Sequence, residues 1–157
     1  MTLTTTDASF NSNGIVCSPG TDYVDGYVAT GETITPGAPA VYTGTDEEYN
    51  ASADGDNPSG FVCENQTQAA EDLRAALTAG QRFLVGRTVG QAFMALVADA
   101  QTLVKNDLLK AAADSWEKWT ATADGTAPSA QEARATYIGD GETTTGLTYV
   151  LAKWGVA

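Results

Sequence analysis

The sequence predicts a mainly β protein, a small antiparallel β-barrel or sandwich made from two related halves, with one short helix. Three observations lead there. Turn-forming pairs recur too closely for long elements, the runs between them are rich in Val and aromatic residues, and part of the first half reads like part of the second. The self-similarity joins Ala29–Gly55 to Ala98–Gly125. Thr33-Ile34 answers Thr102-Leu103 at an offset of 69, and Ala51–Gly55 answers Ala121–Gly125 at 70, which sets Tyr49 against Trp119.

In chain order, Met1 to Asn13 is Thr, Ser and Asn with one large apolar residue, Phe10, and is expected to be a flexible arm before a single β-rich domain over 14–157. Pro19-Gly20, Asp25-Gly26, Pro36-Gly37, Gly44 and Asp54-Gly55 then bound short strands at Tyr23–Ala29, Pro39–Thr43, Glu48–Ser52 and Gly60–Cys63. Thr67–Gly80 interrupts this pattern. Thr67 suits an N-cap, Ala70, Leu73 and Leu77 share a helical face, and Gly80 suits a stop, so this is the expected short helix.

Gln81–Val97 reads as two strands bent at Gly86 to Gly90. Leu96–Ala113 is full of helix-formers, yet Asn106-Asp107 is a turn pair, and the Thr alternation of Trp119–Thr122 also favours strands. The repeat decides for strand, turn, strand. Asp124–Ala130 reads as a loop, Glu132–Tyr137 as a strand, Gly139–Gly146 as a turn-rich loop, and Leu147–Val156 as the closing strand. In that last strand both alternating faces are apolar, so it is expected to be covered on both sides or to enter a subunit contact.

Composition removes several functions. There is no histidine, hence no Ser-His-Asp or Cys-His catalysis and no HExxH zinc site. Twenty acidic residues against eight basic give a net charge of −12, which disfavours direct contact with nucleic acid or an anionic membrane. With only four lysines, such a surface suits a salt-rich, halophilic setting where the repulsion is screened. The N-terminus lacks the basic and apolar regions of a signal peptide, and no apolar run reaches 18 residues, so a soluble protein is expected. Cys17 and Cys63 lack a CxxC spacing; they read as small buried side chains or as a mutual disulfide.

Candidate chemistry is sparse, so no enzyme and no cofactor is expected. Asp54-Gly55-Asp56-Asn57 opens like a calcium loop, but Asn65 stands where an EF-hand needs Glu. Gly139-Asp140-Gly141 lacks the Lys-Ser/Thr of a phosphate loop, and Asp46-Glu47-Glu48 reads as a solvated run. Asn50 and Asn65 head glycan sequons. Trp116 and Trp119 are the candidate sugar-stacking platforms; core packing is the alternative for both. Two converging carboxylates, the minimum for a glycosidase, are not marked by any spacing. Phe10, Leu147, Tyr149, Leu151 and Trp154 are the candidate contacts to another subunit or a partner.

Gly31 to Val41 (GETITPGAPAV), followed by Ala53 to Val62 (ADGDNPSGFV), resembles the small β-barrel capsid decoration, or cement, proteins of tailed double-stranded DNA viruses, whose G-x-x-I-x-x-G-x-x-V segments precede an A-D-G turn. Gln101–Gly125 and Thr148–Trp154 (TYVLAKW) are similar to that family's later strands. The likeness spans Gly26 to Trp154; the Thr67–Gly80 insert and Lys105-Asn106, where Lys-Gly is usual, depart from it. It implies a virion structural protein on the outer face of an icosahedral shell, a homotrimer whose partner is the major capsid protein and which holds capsomers together against packaged DNA. Taken with the acidic, lysine-poor composition, the resemblance implies a halophilic archaeal host. A turret or fibre module that binds receptors or glycans through its tryptophans is the competing expectation.

Overall fold

The computed structural model describes residues 22–66, 73–121 and 133–156. The first half holds β1 (Tyr23–Val28), β2 (Thr33–Ile34), β3 (Pro39–Tyr42), β4 (Glu48–Ala51), β5 (Gly60–Val62), β6 (Leu77–Thr78) and β7 (Arg82–Gly86). The second holds β8 (Ala92–Val97), β9 (Thr102–Leu103), β10 (Leu108–Ala112), β11 (Ser115–Lys118), β12 (Ala133–Tyr137), β13 (Glu142–Thr143) and β14 (Thr148–Trp154). Each half closes on itself. Strands run round the first barrel as β1-β4-β3-β5-β7 and round the second as β8-β11-β10-β12-β14, while β2 pairs β6 and β9 pairs β13 as small lids.

The halves share one wiring. β1 lies parallel to β4 and antiparallel to β7, as β8 does to β11 and β14, and all other pairs are antiparallel. Register repeats residue for residue: Val28 faces Tyr49 as Val97 faces Trp116, and Thr33 faces Thr78 as Thr102 faces Thr143. The backbone repeats too. Gly31 and Gly37 have φ of 83° and 89°, and their counterparts Ala100 and Asn106 have 59° and 76°. Left-handed backbone is costly for a residue with Cβ, so its recurrence at matched positions marks a chain path that duplication preserved.

Between these turns stands an aliphatic plug, Ile34 in one half and Leu103 in the other, both fully buried. The first core gathers Val28, Ile34, Tyr49, Val62, Leu77, Phe83 and Val85. The second gathers Phe93, Val97, Leu103, Leu109, Trp116, Tyr137, Val150 and Trp154, and it also takes in Phe61 and Cys63 from the first half. Successive strand residues point to opposite faces. Val62 therefore fills its own barrel while Phe61 leaves it and enters the other's core.

Three expectations change. Of the expected helix, 67–72 lies outside the described residues; 73–75 is turn and bend, and Leu77–Thr78 is a strand, because Leu77 is needed opposite Ile34 to shut the barrel. Tyr49 corresponds to Trp116, not Trp119. Six residues separate Tyr42 from Tyr49 but only four separate their counterparts Ala111 and Trp116, so the offset falls from 69 to 67 where the sequence match gave 70. Trp119 and Thr120, whose alternation favours a strand, lie just past the end of β11 and outside it, and Thr122 lies outside the described residues. Of the two expectations for the closing strand, the first holds: β14 is covered on both faces from within the chain, with Val150, Ala152 and Trp154 facing the second core and Leu151 packing with Met94 and Ile138 on the other side.

Candidate functional site

The richest constellation of side chains lies where the barrels meet. The turn Thr35-Pro36-Gly37 of the first half sits against β8, β11 and β14 of the second. Gly37 O accepts from the Leu96 amide at 3.1 Å and from the buried Trp116 Nε1 at 2.9 Å, and the Tyr149 hydroxyl donates to Pro36 O at 2.7 Å. A Cβ on Gly37 would stand 2.5 Å from Met94 O, so only glycine lets the turn this close. Thr35 donates its amide and hydroxyl to the Asp114 carboxylate, 3.3 and 2.8 Å away. Burial raises the pKa of Asp114 against those two bonds, which lower it. Burial likewise pushes Tyr149 up to about 12, although the Arg74 guanidinium, 4.3 Å from its ring centre, pulls the other way.

Phe61 completes the seam, stacked on Phe93 at 4.0 Å and 5° within a cluster that includes Trp116 and Trp154. Ser52 bonds across it twice, its hydroxyl donating to Ala112 O at 2.7 Å and its carbonyl accepting from the Asp114 amide at 2.9 Å. At the rim Lys110 pairs with Asp54 at 2.9 Å and Arg134 donates to Asn57 Oδ1. The acidic turn that opens like a calcium loop thus serves as a strut between barrels.

The first barrel has an open cleft of about 410 Å³ lined by Tyr23, Val24, Asp25, Tyr42, Glu47 and Tyr49. Tyr42 is 47% exposed and its ring lies 5.5 Å from that of Tyr49, which in turn meets Phe83 edge-on. Tyr49 fits because Gly26 lies beneath it; a Cβ there would come within 2.7 Å of the ring. Burial raises the Tyr49 pKa, opposed by Arg87. Asp25 and Glu47 are both exposed at the cleft. Aromatic faces beside carboxylates favour a cationic group.

The residues singled out from sequence scatter. Trp116 is 0% exposed and Trp154 7%, so neither offers a surface, and Leu151 is equally enclosed. Leu151 and Trp154 read as contacts in the sequence because a barrel strand that is apolar on both faces looks the same whether its cover comes from its own chain or from a partner, and Trp116, a stacking candidate, is spent on the core. Tyr149 is half-buried under Arg74, and Leu147 is 64% exposed and open to a contact. Trp119 is half-buried, with an Nε1 that has no hydrogen-bond partner among the described residues. Phe10 and Cys17 lie outside the described residues, and Cys63 is in the core. Asn65 is buried with its Nδ2 donated to Ala75 O at 2.8 Å, so its sequon is closed to a glycan, while Asn50 is half-buried in β4. In the Gly139–Gly146 loop, Gly141 N donates to the Tyr137 hydroxyl and that hydroxyl to Glu142, an internal use of those groups.

Among the described residues no three acidic or cysteine side chains converge as a metal set. Compared with protein-family models and with curated proteins, the chain matches none. The tyrosine cleft was missed from sequence. Aligning the halves at 67 rather than 70 would have set Tyr49 against Trp116 and drawn attention to it.

Proposed function

We propose that this chain is a capsid decoration protein, a homotrimer on the exterior of an icosahedral virion that binds the major capsid protein and secures capsomer contacts against the pressure of packaged DNA. The observation that carries the reading is the fate of the segments on which the family resemblance rests. Gly31, Ile34 and Gly37 form a turn, a plug and a second turn leading into β3, and the same device returns as Ala100, Leu103 and Asn106 before β10. Two such barrels fused through a buried seam make one body with a barrel at each end, suited to bridging neighbouring subunits of a lattice. A ligand that binds only the assembled lattice stabilises it by mass action, and a multivalent one gains through effective concentration. The net charge of −12 keeps such a body off DNA and soluble in strong salt.

Co-sedimentation with assembled shells that lack the protein tests this. Saturable binding in molar salt, together with a raised temperature of shell disruption, is the expected outcome. Shells that neither retain the protein nor gain stability would overturn it. The competing glycan reading loses Trp116, which is enclosed, and keeps only the half-buried Trp119.

A further inference from the structure

Because the halves are duplicates, the internal seam is a template for contacts between molecules. Its socket on the second barrel is built around Met94, Asp114 and Trp116, which receive the Thr35-Pro36-Gly37 turn. By register, the same three positions on the first barrel are Asp25, Glu47 and Tyr49, and all three line the open tyrosine cleft. The counterpart of the inserted turn is Val104-Lys105-Asn106 on the second barrel. That turn projects into solvent, with Val104 55% exposed. So each chain keeps one filled socket, one open socket and one unused plug.

The differences between the copies are complementary. Where the inserted turn carries Pro36, the unused one carries Lys105; where the filled socket has Met94 and a Thr-bonded Asp114, the open one has exposed Asp25 and Glu47. Lys105 and Asn106 have no ion pair or side-chain hydrogen bond among the described residues, and the Tyr42 and Tyr49 hydroxyls have none either. Trp116 donates to the turn carbonyl through Nε1, and the Tyr49 hydroxyl stands at that register position as a donor. One element is not reproduced: the Tyr27 amide, equivalent to Leu96, is already taken by Glu47 O at 2.8 Å. Nor is there a second Phe61, since its counterpart Thr136 is buried and donates to Gly155 O. A contact between molecules at this cleft would therefore be weaker than the internal one and would depend on charge.

We propose that the Val104-Lys105-Asn106 turn of one copy docks in the Asp25/Tyr42/Glu47/Tyr49 cleft of a second copy, a head-to-tail contact in which Lys105 meets the two carboxylates. Heterologous contacts of this kind close into rings or continue as filaments. A ring of three, the homotrimer, rests on the reading of the preceding subsection; the contact itself does not.

The test uses the full chain. Isotopically light and heavy protein are mixed, treated with a zero-length carbodiimide cross-linker and digested, while sedimentation equilibrium measures self-association at about 0.1 M salt and at higher salt. We expect light-to-heavy links from Lys105 to Asp25 or Glu47. We also expect association about tenfold weaker or worse for Lys105→Glu and for Asp25→Lys with Glu47→Lys, and recovered when those three changes are combined. A chain that stays monomeric throughout, association indifferent to both charge reversals, or links confined to other residues would overturn the proposal. Because restoration by the triple variant requires folded protein, loss of fold cannot imitate it. Shell binding that survives with no effect of Lys105→Glu on association sinks this contact but not the decoration role. Restored association without shell binding sinks the role but not the contact.

Discussion

At the residue scale, Gly37 and Asn106 hold the same place in the two halves, with nearly the same backbone, yet only one is fixed as glycine. The reason lies outside the turn. Gly37 is pressed against the Met94 carbonyl, whereas Asn106 looks into solvent, where its Cβ costs only backbone strain. Gly37→Ala is therefore expected to destabilise by about 2–4 kcal/mol, while Asn106→Gly is expected to stay within about 1 kcal/mol of wild type, as read by urea unfolding. Tyr149 supplies a pH signature. Its folded pKa of about 12 lies above the usual 10, so its contribution is complete below pH 10 and is lost as the pH rises towards 12. Stability measured across that interval should fall about 2–3 kcal/mol further in wild type than in Tyr149→Phe, which should itself cost about 1 kcal/mol at neutral pH through the lost bond to Pro36 O.

At the element scale, Phe61 in β5 joins two cores. Removing its ring leaves Phe93 without its stacked partner in a cluster of large aromatics that cannot collapse. Phe61→Ala is expected to cost about 3–5 kcal/mol in thermal or denaturant unfolding, more than the same change at Phe83, which serves one barrel only. Short strands are also where the sequence was most readable. β1, β3, β4, β5, β7, β8, β12 and β14 lie where Val, aromatic and Gly/Pro spacing places them, and Asn106-Asp107 does turn the chain between β9 and β10 despite the helix-formers around it. Leu77 was misread because Ala, Glu and Leu spacing encodes a local helical preference, while the Ile34 plug it must cover lies more than forty residues away in the chain. Non-local partners leave no local mark, and the same is true of the cleft: Tyr42 and Tyr49 look like ordinary strand residues until the barrel closes and sets Asp25 beside them.

At the scale of the whole molecule, the two barrels share a core and so should unfold as one. Calorimetry is expected to give a single transition whose van't Hoff and calorimetric enthalpies agree. Two resolved transitions would mean that the seam contributes less than its stacked rings and buried bonds indicate. A fragment covering only the second half would bare Phe93 and Trp116 where Phe61 and Gly37 now sit, and should associate or precipitate.

The unequal hairpins carry one more implication. The longer one, between Tyr42 and Tyr49, satisfies the Tyr27 amide from its own loop; the shorter, between Ala111 and Trp116, leaves the Leu96 amide for Gly37. A two-residue insertion beside Asp114 would create a rival for that amide and evict the guest turn. Making the two hairpins equal would thus dismantle the joint, so the asymmetry of an otherwise repeated architecture is itself what fastens one barrel to the other.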